Sequence, residues 1–404
     1  MKKIGSCRIL IALMLALTLL FVSCGTGAWD HLKYDPDEID FSEMAQAYME
    51  YIDTNLPRRL WSNPYHMRAA NFIRTELINA GYSEDQIILQ EVRVEPGRSK
   101  SSIYRVGYNV ILKVPGTGSD AQKAIVVGAH YDGPDTASDT QRSMVDGADC
   151  DASGLGDNGS GMALLLAEAV CLADRELPMT VYYVFFDCAE YGLCGSEAFV
   201  NQLSDEELDS IQYMINIDAI AFGDYCNIYS GAQDPETGDV SQTEIYSYAC
   251  SLASDLGFNV YDTEYLDGYF AEHGSGPALD PNGIFTNPWT KANPAPEDTV
   301  PDSLHAYSPS TVSRSDQIAF MKAGIPYVYF ESSNWYVQDP DRPDRSYTGY
   351  SDVGDISLGI NGRIMNTYCD NLSYLNRHFP GRSMEHFHLY SPLLTMLITE
   401  PYIY

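Results

Sequence analysis

The sequence predicts an α/β fold, a mostly parallel or mixed central sheet flanked by helices, and three observations carry that prediction. Four short runs, residues 125–129, 180–186, 213–217 and 327–330, are rich in Val, Ile, Tyr and Phe, as strands buried on both faces are. Between the first two, Gly161 to Asp174 places Leu164, Leu165, Leu166, Ala169, Val170 and Ala173 on one wide apolar helical face. Strands alternating with helices build a sheet with helices packed over it. With 404 residues, 45% apolar and 20% charged, the chain can bury a substantial core, which excludes disorder as its main theme.

In chain order, residues 1–23 begin with Lys2, Lys3 and Arg8, run through apolar Ile9 to Val22, and stop at Ser23 and Cys24. This is the pattern of a secretory signal, and Leu20 to Cys24 resembles a bacterial lipobox. The expectation is export to a bacterial cell surface or the periplasm, with lipid on Cys24 as the only membrane attachment. A tether over 24–40 follows, and then a single domain over 41–404. Ser42 to Leu56 and Met67 to Ala80 have apolar positions at intervals of three and four and read as amphipathic helices, with Gly81 as a stop. Stretches near 133–156 and 264–316 are rich in Gly, Pro, Asp and Ser and read as surface insertions.

Charge narrows the partners. Lys and Arg total 24 against 56 Asp and Glu, for a formal charge of −32. The field of such a molecule repels phosphate, so nucleic acid is excluded as a partner, as is an anionic membrane bound through charge. Nine cysteines are present. Removing Cys7 with the leader and lipidating Cys24 leaves Cys150, Cys171, Cys188, Cys194, Cys226, Cys250 and Cys369, an odd set without a CxxC pair. That argues against a disulfide scaffold and against a zinc finger.

Each predicted strand runs into a potential metal ligand, and ligands of open α/β sheets collect at strand carboxyl ends. The first ends Gly128-Ala129-His130-Tyr131-Asp132, where Asp132 can fix the His130 tautomer while the other ring nitrogen binds metal. Asp157, in Gly156 to Gly161, stands at the mouth of the next helix, where an N-cap is its plainest role. The other two strands end Asp187-Cys188-Ala189-Glu190 and Asn216-Ile217-Asp218. Asp146, Asp149 and Asp151 form an acidic loop without the regular spacing of a calcium-binding hand.

As an ordered set, Gly128 to Asp132, Gly156 to Gly161, Phe186 to Ser196, Ile215 to Asp218, Ser315-Asp316 to Pro326, and Asn366-Thr367 with Asp370 resemble metallopeptidase family 28 over roughly residues 45–395. That family contains two-zinc aminopeptidases, glutamate carboxypeptidases and one-zinc glutaminyl cyclases. The resemblance implies a zinc-aminopeptidase-like fold and peptides or protein N-termini as partners. It also implies one zinc on His130 and Asp218, a second on Glu190 and Asn366, and Asp157 bridging both.

Two positions depart from the family pattern. The family's general base is a Glu at the place of Ala189, and a methyl group accepts no proton. Its last ligand is a His at the place of Asn366, and an amide is a poor zinc ligand. Gln317 also replaces a ring-bearing residue. The expectation is one zinc, a second weak or absent, and peptide hydrolysis reduced or lost. Glu331, His273 and His305 are the candidates to substitute. A non-catalytic peptide- or partner-binding pseudo-peptidase is the alternative; a glutaminyl cyclase is disfavoured, since its single zinc would use Asp157, Glu190 and Asn366.

Overall fold

The computed structural model describes residues 37–60, 64–97, 104–133, 153–234, 236–238, 240–241, 243–261, 284–285, 315–334, 352–355, 357–359 and 362–404. The leader and Cys24, most of both predicted insertions, the acidic loop, Cys150, His273 and His305 lie outside them. Residues 39–404 form one compact unit. Two helices, α1 (Ser42–Asn55) and α2 (Pro64–Asn79), precede the sheet. Strands β1 (Ile87–Val94), β2 (Arg105–Val114) and β3 (Ala124–His130) come next. They are followed by α3 (Ser160–Cys171), β4 (Thr180–Phe186), α4 (Cys194–Gln202), α5 (Asp205–Ser210) and β5 (Ile211–Ile217). The remainder is β6 (Tyr225–Gln233), β7 (Val240–Ser241), α6 (Glu244–Asp255), β8 (Val260–Tyr261), β9 (Ile284–Phe285), α7 (Gln317–Lys322), β10 (Tyr327–Ser333), α8 (Leu372–His378) and α9 (Arg382–Thr399).

The sheet is mixed, in the order β1-β2-β4-β3-β5-β10-β6-β9-β8, with β7 on β6. Its centre is parallel: β3 pairs with β4 and β5, and β10 with β5. All four predicted strands are there, extended by a residue or more at three of them. The antiparallel β1–β2 hairpin and β6 stand outside the sequence expectation. β1 alternates buried Val92 and Val94 with exposed Glu91 and Arg93, and Ile88 and Leu89 face solvent, so it shows no continuous apolar run. Ile284–Phe285, inside the predicted 264–316 insertion, adds a two-residue strand parallel to β6.

Helices α1, α2, α3, α6 and α9 cover one face of the sheet, and α4 and α7 the other. On the second face the rings of Phe186, Phe199 and Phe320 meet at 5.8–6.2 Å between centroids, a geometry that adds attraction beyond area burial. α3 is buried around its whole circumference because it lies between the sheet and α1, and its residues 160–169 are all buried. Gly161 opens that helix against the end of β5. A Cβ there would fall 2.5 Å from the Ile217 carbonyl oxygen, so only glycine lets the helix start this close. The six described cysteines outside the leader, Cys171, Cys188, Cys194, Cys226, Cys250 and Cys369, carry thiols. No helix among the described residues is long and apolar enough to cross a membrane.

Candidate metal centre

The parallel strands point their carboxyl ends into one cleft of about 240 Å³. His130 ends β3, Asp218 follows β5 directly, and Asp157 lies in the turn before α3. Their ligand atoms lie within 4.8 Å of one another. His130 Nε2 is 3.0 Å from Asp157 Oδ1 and 3.5 Å from Asp218 Oδ1. The ring's other nitrogen, Nδ1, faces Asp132, 3.1 Å from its carbonyl and 3.4 Å from its carboxylate. That leaves Nε2 as the ligand atom.

Glu190, Ala189 and Asn366 line the same cleft, so the five expected ligand positions and the expected base position come together there. Ala189 presents only its methyl group. Asn366 turns its amide Nδ2 onto Asp157 Oδ2 at 2.6 Å, while its Oδ1 is buried without a hydrogen bond. Asp218 Oδ1 is likewise buried without one. Buried acceptors left unmatched are costly unless something else fills them, and a divalent cation suits this carboxylate and imidazole set. The residues present therefore fit a metal ion. Asp157 does not cap α3; Asn158 does, its Oδ1 accepting from Gly161 N at 2.9 Å.

Electrostatics agree with that fit. Burial alone would lower His130, but the Asp218 charge and the carboxylates of Asp132 and Asp157 outweigh it and hold the ring well above its ordinary value. Burial, then the charge of Asp157, pushes Glu190 well above the usual carboxylate range. Burial works against ionisation of Asp157 too, yet the hydrogen bond and charge of His130 win and lower it. An entering divalent ion must displace the protons on His130 and Glu190, so its affinity rises with pH.

Three buried aspartates hold the ligand-bearing turns by their main-chain amides. Asp132 accepts from Ala189 N at 3.1 Å and Glu190 N at 3.2 Å. Asp370 accepts from Gly156 N at 2.6 Å and Asn366 N at 3.0 Å. Asp352 accepts from Ile364 N at 2.6 Å and Met365 N at 2.5 Å. Burial pushes Asp370 up to about 7 and Asp352 up to about 6, against the pull of those amides. Asp187 plays a similar part behind the cleft. It accepts from Tyr108 N at 2.7 Å and Tyr131 Oη at 2.8 Å, with His66 Nε2 2.7 Å away. Gly195 lets α4 approach this knot, since a Cβ there would sit 2.7 Å from Asn109 Oδ1.

Of the candidate substitutes, Glu331 lines the cleft at the end of β10 and accepts from Tyr229 Oη at 2.9 Å. In the parallel pairing of β10 with β5, Phe330 stands opposite Ile217, so Glu331 follows on the strand beside Asp218. Gln317 is buried away from the cleft wall, where its Oε1 accepts from Asn216 Nδ2 at 2.8 Å. Asp352 and His66 were not singled out from sequence. Neither had a neighbouring apolar run or paired motif to mark it, and only the fold brings them to the site.

The fold and this site together define an α/β protein with a candidate metal centre on turns at the carboxyl edge of the sheet. Residues 109–281 match the model of peptidase family M28. It is 32% identical over 129 residues to leucine aminopeptidase 2 of Trichophyton rubrum, a stretch covering 31% of this chain and 22% of that protein. The chain thus spans about a fifth of the length of such curated relatives. Among solved structures, BSAP, a zinc aminopeptidase from Bacillus subtilis, has the same fold with a TM-score of 0.55 and 11% identity, over 90% of this chain and 96% of that one. An Acidobacteriales bacterium glutaminyl cyclase gives a TM-score of 0.55 and 17% identity over 91% and 97%.

Proposed function

We propose that this protein is an exported, zinc-binding relative of the family's aminopeptidases that receives peptides or protein N-termini in its cleft, with hydrolysis greatly reduced or lost. One observation carries the reading: ligand atoms for an ion converge on the cleft, while Ala189 and Asn366 occupy the places of a base and a ligand in the family pattern. His130, Asp157 and Asp218 would hold the ion. When bound, zinc would supply a Lewis acid to polarise a peptide carbonyl. The acidic lining, with Glu331 and Asp352 beside the ligand carboxylates, suits the ammonium group of a peptide N-terminus. A glutaminyl cyclase shares the fold, but fold alone does not choose chemistry.

The Asn366 amide supports a single ion. Its Nδ2 donates to the Asp157 oxygen that would otherwise serve a second metal, and an amide oxygen is a weak zinc ligand. Elemental analysis of the purified protein after dialysis is therefore expected to give close to one zinc per chain. Two tightly held ions, or none at micromolar zinc, would count against the reading.

Lipid attachment is part of the same proposal and rests on the leader sequence. The Cys24→Ala variant, if still cleaved, is expected to move from the membrane fraction to the soluble one. Membrane retention of a cleaved variant would remove lipid as the anchor.

A further inference from the structure

Arg59 was unmarked in the sequence, yet it is fully buried beside the metal centre. Its guanidinium donates four hydrogen bonds, each to a main-chain carbonyl. Nε reaches Tyr131 O at 2.7 Å and Nη2 reaches Gly154 O at 2.6 Å. Nη1 reaches Leu56 O and Ser153 O, each at 3.2 Å. The main chain adds Arg58 N to Ser153 O at 3.0 Å and Gly133 N to Arg59 O at 3.4 Å. Tyr131 is the residue after His130, and Gly154 begins the turn that ends at Asp157.

A guanidinium is a rigid planar fork, and one that takes carbonyls from three chain segments fixes the spacing between them. Taking the cation out of water costs several kcal/mol, and burial lowers Arg59 to about 10, so it stays charged at neutral pH. We propose that Arg59 is the positioning residue of the metal centre, holding the turn that follows His130 at a set distance from the turn that carries Asp157. The inference rests on reading His130, Asp157 and Asp218 as metal ligands.

Charge alone predicts the opposite sign. Asp370, Asp132 and Asp157 lie within the field of Arg59, and a cation near the centre repels an entering divalent ion. Removing it without moving the ligands tightens metal binding; removing a spacer loosens it. The test measures zinc affinity by competition with a chromophoric chelator, and the visible spectrum of the cobalt(II)-loaded protein. Both are recorded on the whole exported chain for wild type, Arg59→Met and Arg59→Lys, well below each melting temperature. Lys keeps the charge but not the fork, so both variants are expected to bind zinc about 10- to 100-fold more weakly, as when an outer partner of a metal ligand is lost. Their cobalt bands should shift as the ligand geometry relaxes. Wild-type affinity and spectrum in both, with only a lower melting temperature, would reduce Arg59 to ordinary packing. Tighter binding by Arg59→Met would make it an electrostatic neighbour instead. A wild type that takes up no zinc would overturn the metal reading and this inference with it. If Arg59→Met does not fold, Arg59→Lys decides by the same two readouts.

Discussion

The double variant Ala189→Glu with Asn366→His is expected to hydrolyse aminoacyl chromogenic substrates at a rate exceeding wild type by more than the product of the two single changes. The loss proposed for this cleft has two separate parts: one in proton transfer, one in metal affinity. A positioned base is typically worth about 100- to 10,000-fold in rate, but only if the second ion is held. Groups that act as a unit in catalysis are not additive. The main chain is ready for both changes. Asp132 holds the amides of residues 189 and 190 whatever their side chains, and Asp370 holds the amide of residue 366. Asn366 has φ of 61°, in the left-handed region that Asn and His enter more readily than most residues. Two results would defeat the expectation. A wild type already turning over about once per second or faster would mean that another group accepts the proton, and Glu331 on the cleft wall would be the first to mutate. A double variant that binds two zincs and stays inert would mean that the cleft has been reshaped for capture.

Glu168 should make the fold less stable as the pH rises from about 4.5 to 8. It is fully buried on α3, against α9. Ser391 Oγ donates to its Oε1 at 2.8 Å, and Thr395 Oγ1 lies 2.9 Å from its Oε2. Thr395 Oγ1 is also 2.8 Å from Ile39 O and 3.0 Å from Ser391 O. One hydroxyl proton cannot serve three acceptors, and a protonated Glu168 donating to Thr395 reduces them to the two carbonyls. Burial, only partly offset by these hydroxyls, raises Glu168 from 4.5 to about 8. An acid whose folded value is raised contributes its full stability below the unfolded value, loses it progressively between 4.5 and 8, and has lost it above. The loss attributable to this group is on the order of 4 kcal/mol by pH 9. Glu168→Gln keeps a donor and an acceptor in place and cannot ionise. Urea melts should show it more stable than wild type at pH 9 by about 3 kcal/mol, and nearly equal at pH 4. Parallel curves for the two proteins across that range would exclude the assignment.

What the sequence made legible is what local physics marks. His130 and Asp218 stand where buried apolar strands stop, and an ionisable group at such a border has few roles. The helix over 160–171 and the parallel core strands are continuous apolar runs, so their positions follow from burial alone. β1 and β6 were not legible because an edge strand alternates and a strand rich in Cys, Asn, Ser and Gly resembles a loop. Asp157 stands at the mouth of its helix, but the capping hydrogen bond comes from Asn158, one residue on. Arg59 left no trace because each of its partners is a carbonyl, a group every residue carries, up to 95 residues away along the chain.

The aspartates that grip main-chain amides at residues 156, 189, 190 and 364–366 have a consequence for descent as well as for design. Their grip is blind to what projects from those residues, so turnover of side chains at the cleft leaves the architecture solvent. A lineage that sheds a base and a ligand from such turns can pass on an intact receptacle. The same indifference runs in reverse: new chemistry for another ion or another bond needs only new side chains on turns that already hold their shape.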